Sequence, residues 1–175
     1  KKLKEFLKVK NVILVSNGTT ALQILYKALS LKGNVITTPF SYVATSNTLI
    51  WEGLSPNFVD IDKDTLNIDV TNISSNINNS TSAILPVHVF GNPCDIEEIN
   101  KIAKKNKLKV IYDASHCFNT NYKGKSILSY GDASIMSLHA TKIFHTIEGG
   151  AIITNNNSLA KRIRMISNFG KNDND

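Results

Sequence analysis

The 175 residues suffice for one domain with a real core, and 42 % hydrophobic against 19 % charged residues is an ordinary globular balance. No apolar run approaches the roughly 20 residues that a membrane helix needs, and Lys1 to Lys10 is basic and mixed, without a signal-peptide apolar run. The net charge of +6 comes from scattered lysines; the densest groups, Lys1-Lys2-Leu3-Lys4 and Lys104-Lys105-Asn106-Lys107, have no interleaved aromatic residues, so solvated helix faces are favoured over nucleic-acid binding.

Residues 12–15 are a short apolar strand, followed by Ser16-Asn17-Gly18-Thr19-Thr20 and a helix over 21–31. The apolar set of that helix, Leu22, Leu25, Ala28 and Leu29, repeats at three and four. Lys32-Gly33-Asn34 stops it, and 35–38 form the next strand. Pro39 breaks that strand, and a helix is expected over 42–51. A strand over 57–61 runs into the acidic turn Asp60, Asp62, Asp64. The polar segment 65–82 is expected to hold a short strand around 66–68 and a weak helix.

A strand over 83–87 exits through His88-Val89-Phe90-Gly91-Asn92-Pro93. Asp95 caps a helix that runs to Lys107 and buries Ile96, Ile99, Ile102 and Ala103. Residues 108–112 are a buried strand ending at Asp113, and 121–125 read as a hairpin turn around Gly124. Strands over 133–138 and 151–154 flank a loop containing Lys142, and a last helix covers 159–167. Alternating strands and helices imply an α/β domain, three layers deep, with a mostly parallel sheet. There is no internal repeat and no linker, so residues 1–175 read as a single domain. Cys94 and Cys117, the only cysteines, lack metal-type spacing and read as reduced cytosolic thiols; the chain is expected in the cytoplasm with no metal site.

Ligands in such sheets sit beyond the carboxyl ends of strands, which directs attention to the residues just after them. Gly18-Thr19-Thr20 joins a strand to a helix, where free amides suit a phosphate; the alternative is an N-cap by one of the threonines. No dinucleotide fingerprint or P-loop is present. Tyr42 is either a ring that stacks on a flat heterocycle or a core residue. Asp113 ends an apolar strand, where a carboxylate is costly unless it finds a cation such as a protonated ring nitrogen; a turn cap is the competing role. His116 either leans on a ligand or packs as a polar core residue. Ser137 is either a phosphate contact or a serine bonded to backbone. Lys142, between an apolar strand and the pair Gly149-Gly150, is either a solvated loop lysine or an amine for Schiff-base chemistry. A phosphate cup, a stacking ring, an anion for a pyridine nitrogen and an amine for an aldehyde are together what pyridoxal phosphate requires.

The chain resembles the DegT/DnrJ/EryC1/StrS family of sugar aminotransferases. The resemblance rests on 16–22 (Ser-Asn-Gly-Thr-Thr-Ala-Leu), 39–45 (Pro-Phe-Ser-Tyr-Val-Ala-Thr) and 86–91 (Pro-Val-His-Val-Phe-Gly), and on Asp113-Ala114-Ser115-His116, Tyr130-Gly131-Asp132 and the Lys142 segment. It implies a fold-type I pyridoxal-phosphate domain, working as a homodimer, that moves an amino group from glutamate to a nucleotide-linked keto sugar. It further implies that Lys142 is the Schiff-base lysine and Asp113 the pyridine-nitrogen partner. Tyr42 would stack on the ring; Gly18, Thr19, Thr20 and Ser137 would hold the phosphate; His116 stands where many members have glutamine. Relatives with histidine at the lysine position act as dehydratases, which Lys142 argues against. The family is longer and carries a small C-terminal domain, so the expectation is a truncated large domain. The alternative is a non-catalytic fragment that binds pyridoxal phosphate or a nucleotide.

Overall fold

The computed structural model describes residues 2–171; Lys1 of the basic N-terminal group and residues 172–175 lie outside it. The chain runs α1 (Lys2–Leu7), β1 (Asn11–Val15), α2 (Gly18–Leu29), β2 (Asn34–Thr37), α3 (Ala44–Trp51), β3 (Ser55–Phe58), β4 (Thr81–Ile84) and α4 (Ile96–Asn106). It continues through β5 (Lys109–Asp113), a small hairpin of β6 (Asn121–Tyr122) and β7 (Lys125–Ser126), β8 (Ala133–Ser137), β9 (Gly150–Thr154) and α5 (Asn157–Ser167).

The main sheet has seven strands in the order β1-β9-β8-β5-β4-β2-β3. Its pairings are parallel from β3 through β2, β4 and β5 to β8, whereas β9 is antiparallel to both β8 and β1. The reversal of β9 follows from its connection. Residues 138–149 contain no helix that could carry the chain back for a parallel crossover, so β8 and β9 form a wide hairpin. The lysine loop is the tip of that hairpin, on the edge where β1, β5 and β8 also end.

Strand residues alternate between two cores, one on each face. Ile111, Ile135 and Ile152 join Leu22, Leu25, Leu49 and Ile163 of α2, α3 and α5. Val110, Tyr112, Met136 and Ile153 join Ile96, Ile99 and Ile102 of α4. These are the three layers expected of the alternating elements.

Several boundaries differ from the sequence expectations, each for a local reason. α2 begins at Gly18 rather than at 21, because Asn17 and not a threonine is its cap: Asn17 Oδ1 accepts from the Thr20 amide at 2.8 Å. It ends at Leu29, where Ser30 turns left-handed with φ 54°. α3 starts at Ala44, leaving Tyr42 ahead of the helix. β3 lies at Ser55–Phe58 rather than 57–61, set by its parallel register with β2. The strand expected near 66–68 is a single bridge, Ile61 to Ile68, and the weak helix is two 3-10 turns at Val70–Asn72 and Ser74–Asn76. Asn and Ser side chains there bond to nearby backbone, which competes with regular structure. No helix among the described residues is long and apolar enough to cross a membrane.

Candidate active site

The hydrogen-bond register places Val15, Gly150 and Ser137 side by side across β1, β9 and β8. Gly150 is fully buried against the turn that starts α2; a Cβ there would run into the backbone of Asn17 and come within 2.8 Å of the Gly18 amide nitrogen. The missing side chain lets the helix start sit directly on the sheet edge. The amides of Gly18 and Thr19, as the first two of the helix, have no intrahelical acceptor. They face the rim of a cavity of about 480 Å³, together with Ser137. Thr20 is placed differently: its amide serves the Asn17 cap, its hydroxyl accepts from Ser16 at 3.1 Å, and it does not line the cavity.

The same cavity is lined by Tyr42, Asp113, Ser115, His116, His139, Lys142 and Glu148. Seven of the eight residues singled out in the sequence thus meet at one place. Tyr42 is 76 % exposed, so its ring is not a core residue and presents a free face. Asp113 is 6 % exposed at the end of β5. Its Oδ1 accepts from the Ser115 amide (3.1 Å) and hydroxyl (2.7 Å), and its Oδ2 from the Thr45 hydroxyl (2.9 Å). Three donors hold the carboxylate in place.

The Lys142 loop is internally braced. Leu138 N–H donates to Gly149 O, Thr146 N–H to Leu138 O and Ala140 N–H to Ile147 O, while the Lys142 amide caps His139 O at 2.9 Å. The His139 ring accepts the Thr141 amide at Nδ1 (3.2 Å), and its Nε2 lies 3.5 Å from a Glu148 carboxylate oxygen. Phe144 stacks on Phe118 with ring centroids 4.1 Å apart, tying the loop to the body of the domain. His116 lies close enough to Lys142 that the ammonium, after partial burial, pushes the imidazole below its ordinary range; Asp113 opposes this. Its ring stacks parallel to Phe90 at 6.0 Å.

His88 completes the floor. It is fully buried, its Nδ1 accepts from the Cys94 amide at 3.1 Å, and its ring stacks on Tyr112 at 4.6 Å. Its backbone amide donates to Asp113 O at 3.0 Å and so registers the carboxylate strand. Thr45, Ser115, His139, Glu148 and His88 were not singled out as site residues. Thr45, Ser115, His88 and His139 stand within the motif segments, but a motif does not say which of its hydroxyls and rings turn inward.

The arrangement fits pyridoxal phosphate. An amide-lined helix start beside a serine suits a phosphate, a buried carboxylate held by three donors suits a pyridinium, and a lysine on a braced loop suits an aldehyde. Comparison with known proteins decides the kinship: the model of the DegT/DnrJ/EryC1/StrS aminotransferase family matches residues 1–175. The chain belongs to that family. A family relative from Shigella dysenteriae, dTDP-4-amino-4,6-dideoxy-D-glucose transaminase, is 51 % identical over 97 % of this chain and 46 % of its own length. The solved structure of DesI in the presence of its TDP-sugar product superposes with a TM-score of 0.94 at 37 % identity, over 97 % of this chain and 43 % of that one. NtdA from Bacillus subtilis, solved with bound cofactor PMP, superposes with a TM-score of 0.84 at 35 % identity, over 94 % of this chain and 39 % of NtdA. The chain thus spans under half the length of these family members. Its three layers are those of a fold-type I transferase large domain, as the resemblance implied.

Proposed function

We propose that this chain supplies the cofactor-holding part of a pyridoxal-phosphate-dependent aminotransferase that passes an amino group from an amino acid, glutamate, to a nucleotide-linked keto sugar. The observation that carries the reading is the convergence of Lys142, the triply bonded Asp113 and the Gly18–Thr19–Ser137 cup on one cavity. The cofactor named for NtdA supports the cofactor assignment, and the sugar in the name of the Shigella dysenteriae relative supports a substrate with its keto group at carbon 4. Glutamate as donor rests on the family resemblance.

The chemistry that pyridoxal phosphate supplies when bound is an aldehyde for amines and a ring that takes up electron density. Lys142 Nζ would be the amine that engages the aldehyde, and as a half-buried amine at the cavity wall it would be the group placed to take and return a proton there. Asp113 would pair with a protonated ring nitrogen, Tyr42 would cover one face of the ring, and Gly18, Thr19 and Ser137 would bind the phosphate. His116, backed by Phe90, lines the same cavity, its imidazole pushed below its ordinary range by burial and by Lys142, with Asp113 opposing. Cys94 and Cys117, buried and free, suit a reducing compartment such as the cytoplasm.

A homodimer is the proposed assembly, supported by the apolar side chains exposed around the site mouth: Tyr42, Phe90 (74 %), Ile143 (91 %) and Ile147 (72 %). The overall reading is tested by giving the whole protein 15N-glutamate, pyridoxal phosphate and a dTDP-linked 4-keto-6-deoxysugar. Mass spectrometry should find 15N in the sugar; an unchanged keto sugar contradicts the proposal.

A further inference from the structure

Asp113 receives one donor from outside its own turn. Thr45, in the first turn of α3 and 1 % exposed, donates its hydroxyl to Asp113 Oδ2 across 68 positions of sequence. Ser115 sends both its amide and its hydroxyl to the other oxygen, Oδ1. A carboxylate oxygen offers about two acceptor positions. Oδ1 is therefore filled, and Oδ2 keeps one position open in a group that lines the cavity.

The division matters because rotation of a carboxylate about its last bond is soft. Ser115 alone anchors one oxygen and leaves the other to swing. Thr45 supplies the second anchor, and its own position is fixed in turn. Thr48, one residue from the end of the same turn, donates its hydroxyl to Ala44 O at 2.7 Å and lies 3.2 Å from the Tyr26 hydroxyl. Tyr26 is buried on α2, the helix that opens at Gly18. The Thr45 helix, the phosphate-cup helix and the Asp113 strand are thus joined through side-chain hydroxyls.

We propose that Thr45 is a positioning residue: it fixes the rotation of the Asp113 carboxylate and reserves Oδ2 for the protonated nitrogen of the cofactor ring. The proposal rests on the pyridoxal-phosphate reading above. A residue that only packs would act through its methyl group, which valine keeps; a positioning hydroxyl is lost in valine and kept in serine.

The test uses the whole protein, pyridoxal phosphate labelled with 15N in the ring, and the variants Thr45→Val and Thr45→Ser. Affinity is read by titration and ring-nitrogen protonation by the 15N shift, with circular dichroism to confirm folding. Thr45→Val should bind roughly tenfold more weakly, the loss expected for one hydrogen bond to a charged group, and its 15N signal should move toward the unprotonated value. Thr45→Ser should restore both. If valine unfolds the chain, Thr45→Ala, smaller and also without a hydroxyl, takes its place in both readings. A hydroxyl-free variant with wild-type affinity and 15N shift overturns the role of Thr45 and leaves the cofactor reading standing. So does a serine variant as impaired as valine. A wild-type chain that takes up no cofactor overturns the cofactor reading and this role with it.

Discussion

His88 shows how a single buried ring shapes the site and leaves a measurable trace. Burial pushes its imidazole from 6.5 down to about 3. Between those values the unfolded chain holds a proton at His88 that the folded chain refuses. Its contribution is therefore whole above pH 6.5 and is lost as pH falls toward 3, at up to about 1.4 kcal/mol per pH unit. Urea unfolding between pH 7 and 5, above most carboxylate titration, should show this slope, and His88→Asn should reduce it to the part left by His116 while keeping an acceptor for the Cys94 amide. An equal slope in both proteins would contradict the buried neutral ring. Ser137 makes a second prediction at this scale. It stands opposite Gly150 at the end of β8 and lines the cavity beside Gly18. Ser137→Ala should weaken pyridoxal-phosphate binding several-fold, about the worth of one hydrogen bond, and leave pyridoxal without its phosphate unaffected in a parallel titration.

The proposed phosphate cup is built by three elements rather than by one motif. Asn17 caps α2, and Gly150 lets that cap rest on β9 between β1 and β8. Asn17→Ala should cost about 1 kcal/mol in urea unfolding, the usual worth of an N-cap. Gly150→Ala should cost about 1–3 kcal/mol as an overpacked contact and should also displace the Gly18 amide, so cofactor affinity falls with stability. Gly150→Ala with wild-type affinity would contradict the cup. These elements were only partly legible in the sequence. The repeat of Leu22 and Leu25 and the apolar runs 133–138 and 108–112 marked helices and buried strands because burial writes its period into composition. The reversal of β9 was not legible, since an apolar strand reads alike in both directions. Asn17 as the cap was hidden because Thr19 and Thr20, just after it, read as caps equally well. Thr45 was hidden because α3 carries the polar run Thr45-Ser46-Asn47-Thr48, which does not announce which hydroxyl faces a carboxylate two strands away.

At the scale of the molecule, two cores clamp the sheet and leave its carboxyl edge as the open, chemically equipped end. That edge also carries exposed apolar side chains, Phe90, Ile143 and Ile147, at its rim. Sedimentation at micromolar concentration should find a dimer, and Phe90→Asp with Ile143→Asp should shift it to monomer; a wild-type monomer contradicts a homodimer built on this rim. The other rim residues are the ones proposed to serve chemistry, and Lys142 is among them on the cavity wall. It differs from the many surface lysines in sitting half-buried on a loop braced by His139, Thr146 and the Phe118–Phe144 stack, within reach of the cup and of Asp113. The most direct measurement is reduction of the chain with borohydride in the presence of limiting pyridoxal phosphate, followed by peptide mass mapping. The pyridoxyl label should fall on Lys142 and, in Lys142→Ala, should not reappear at any one lysine. A label spread evenly over surface lysines, or concentrated on another one, would contradict the account.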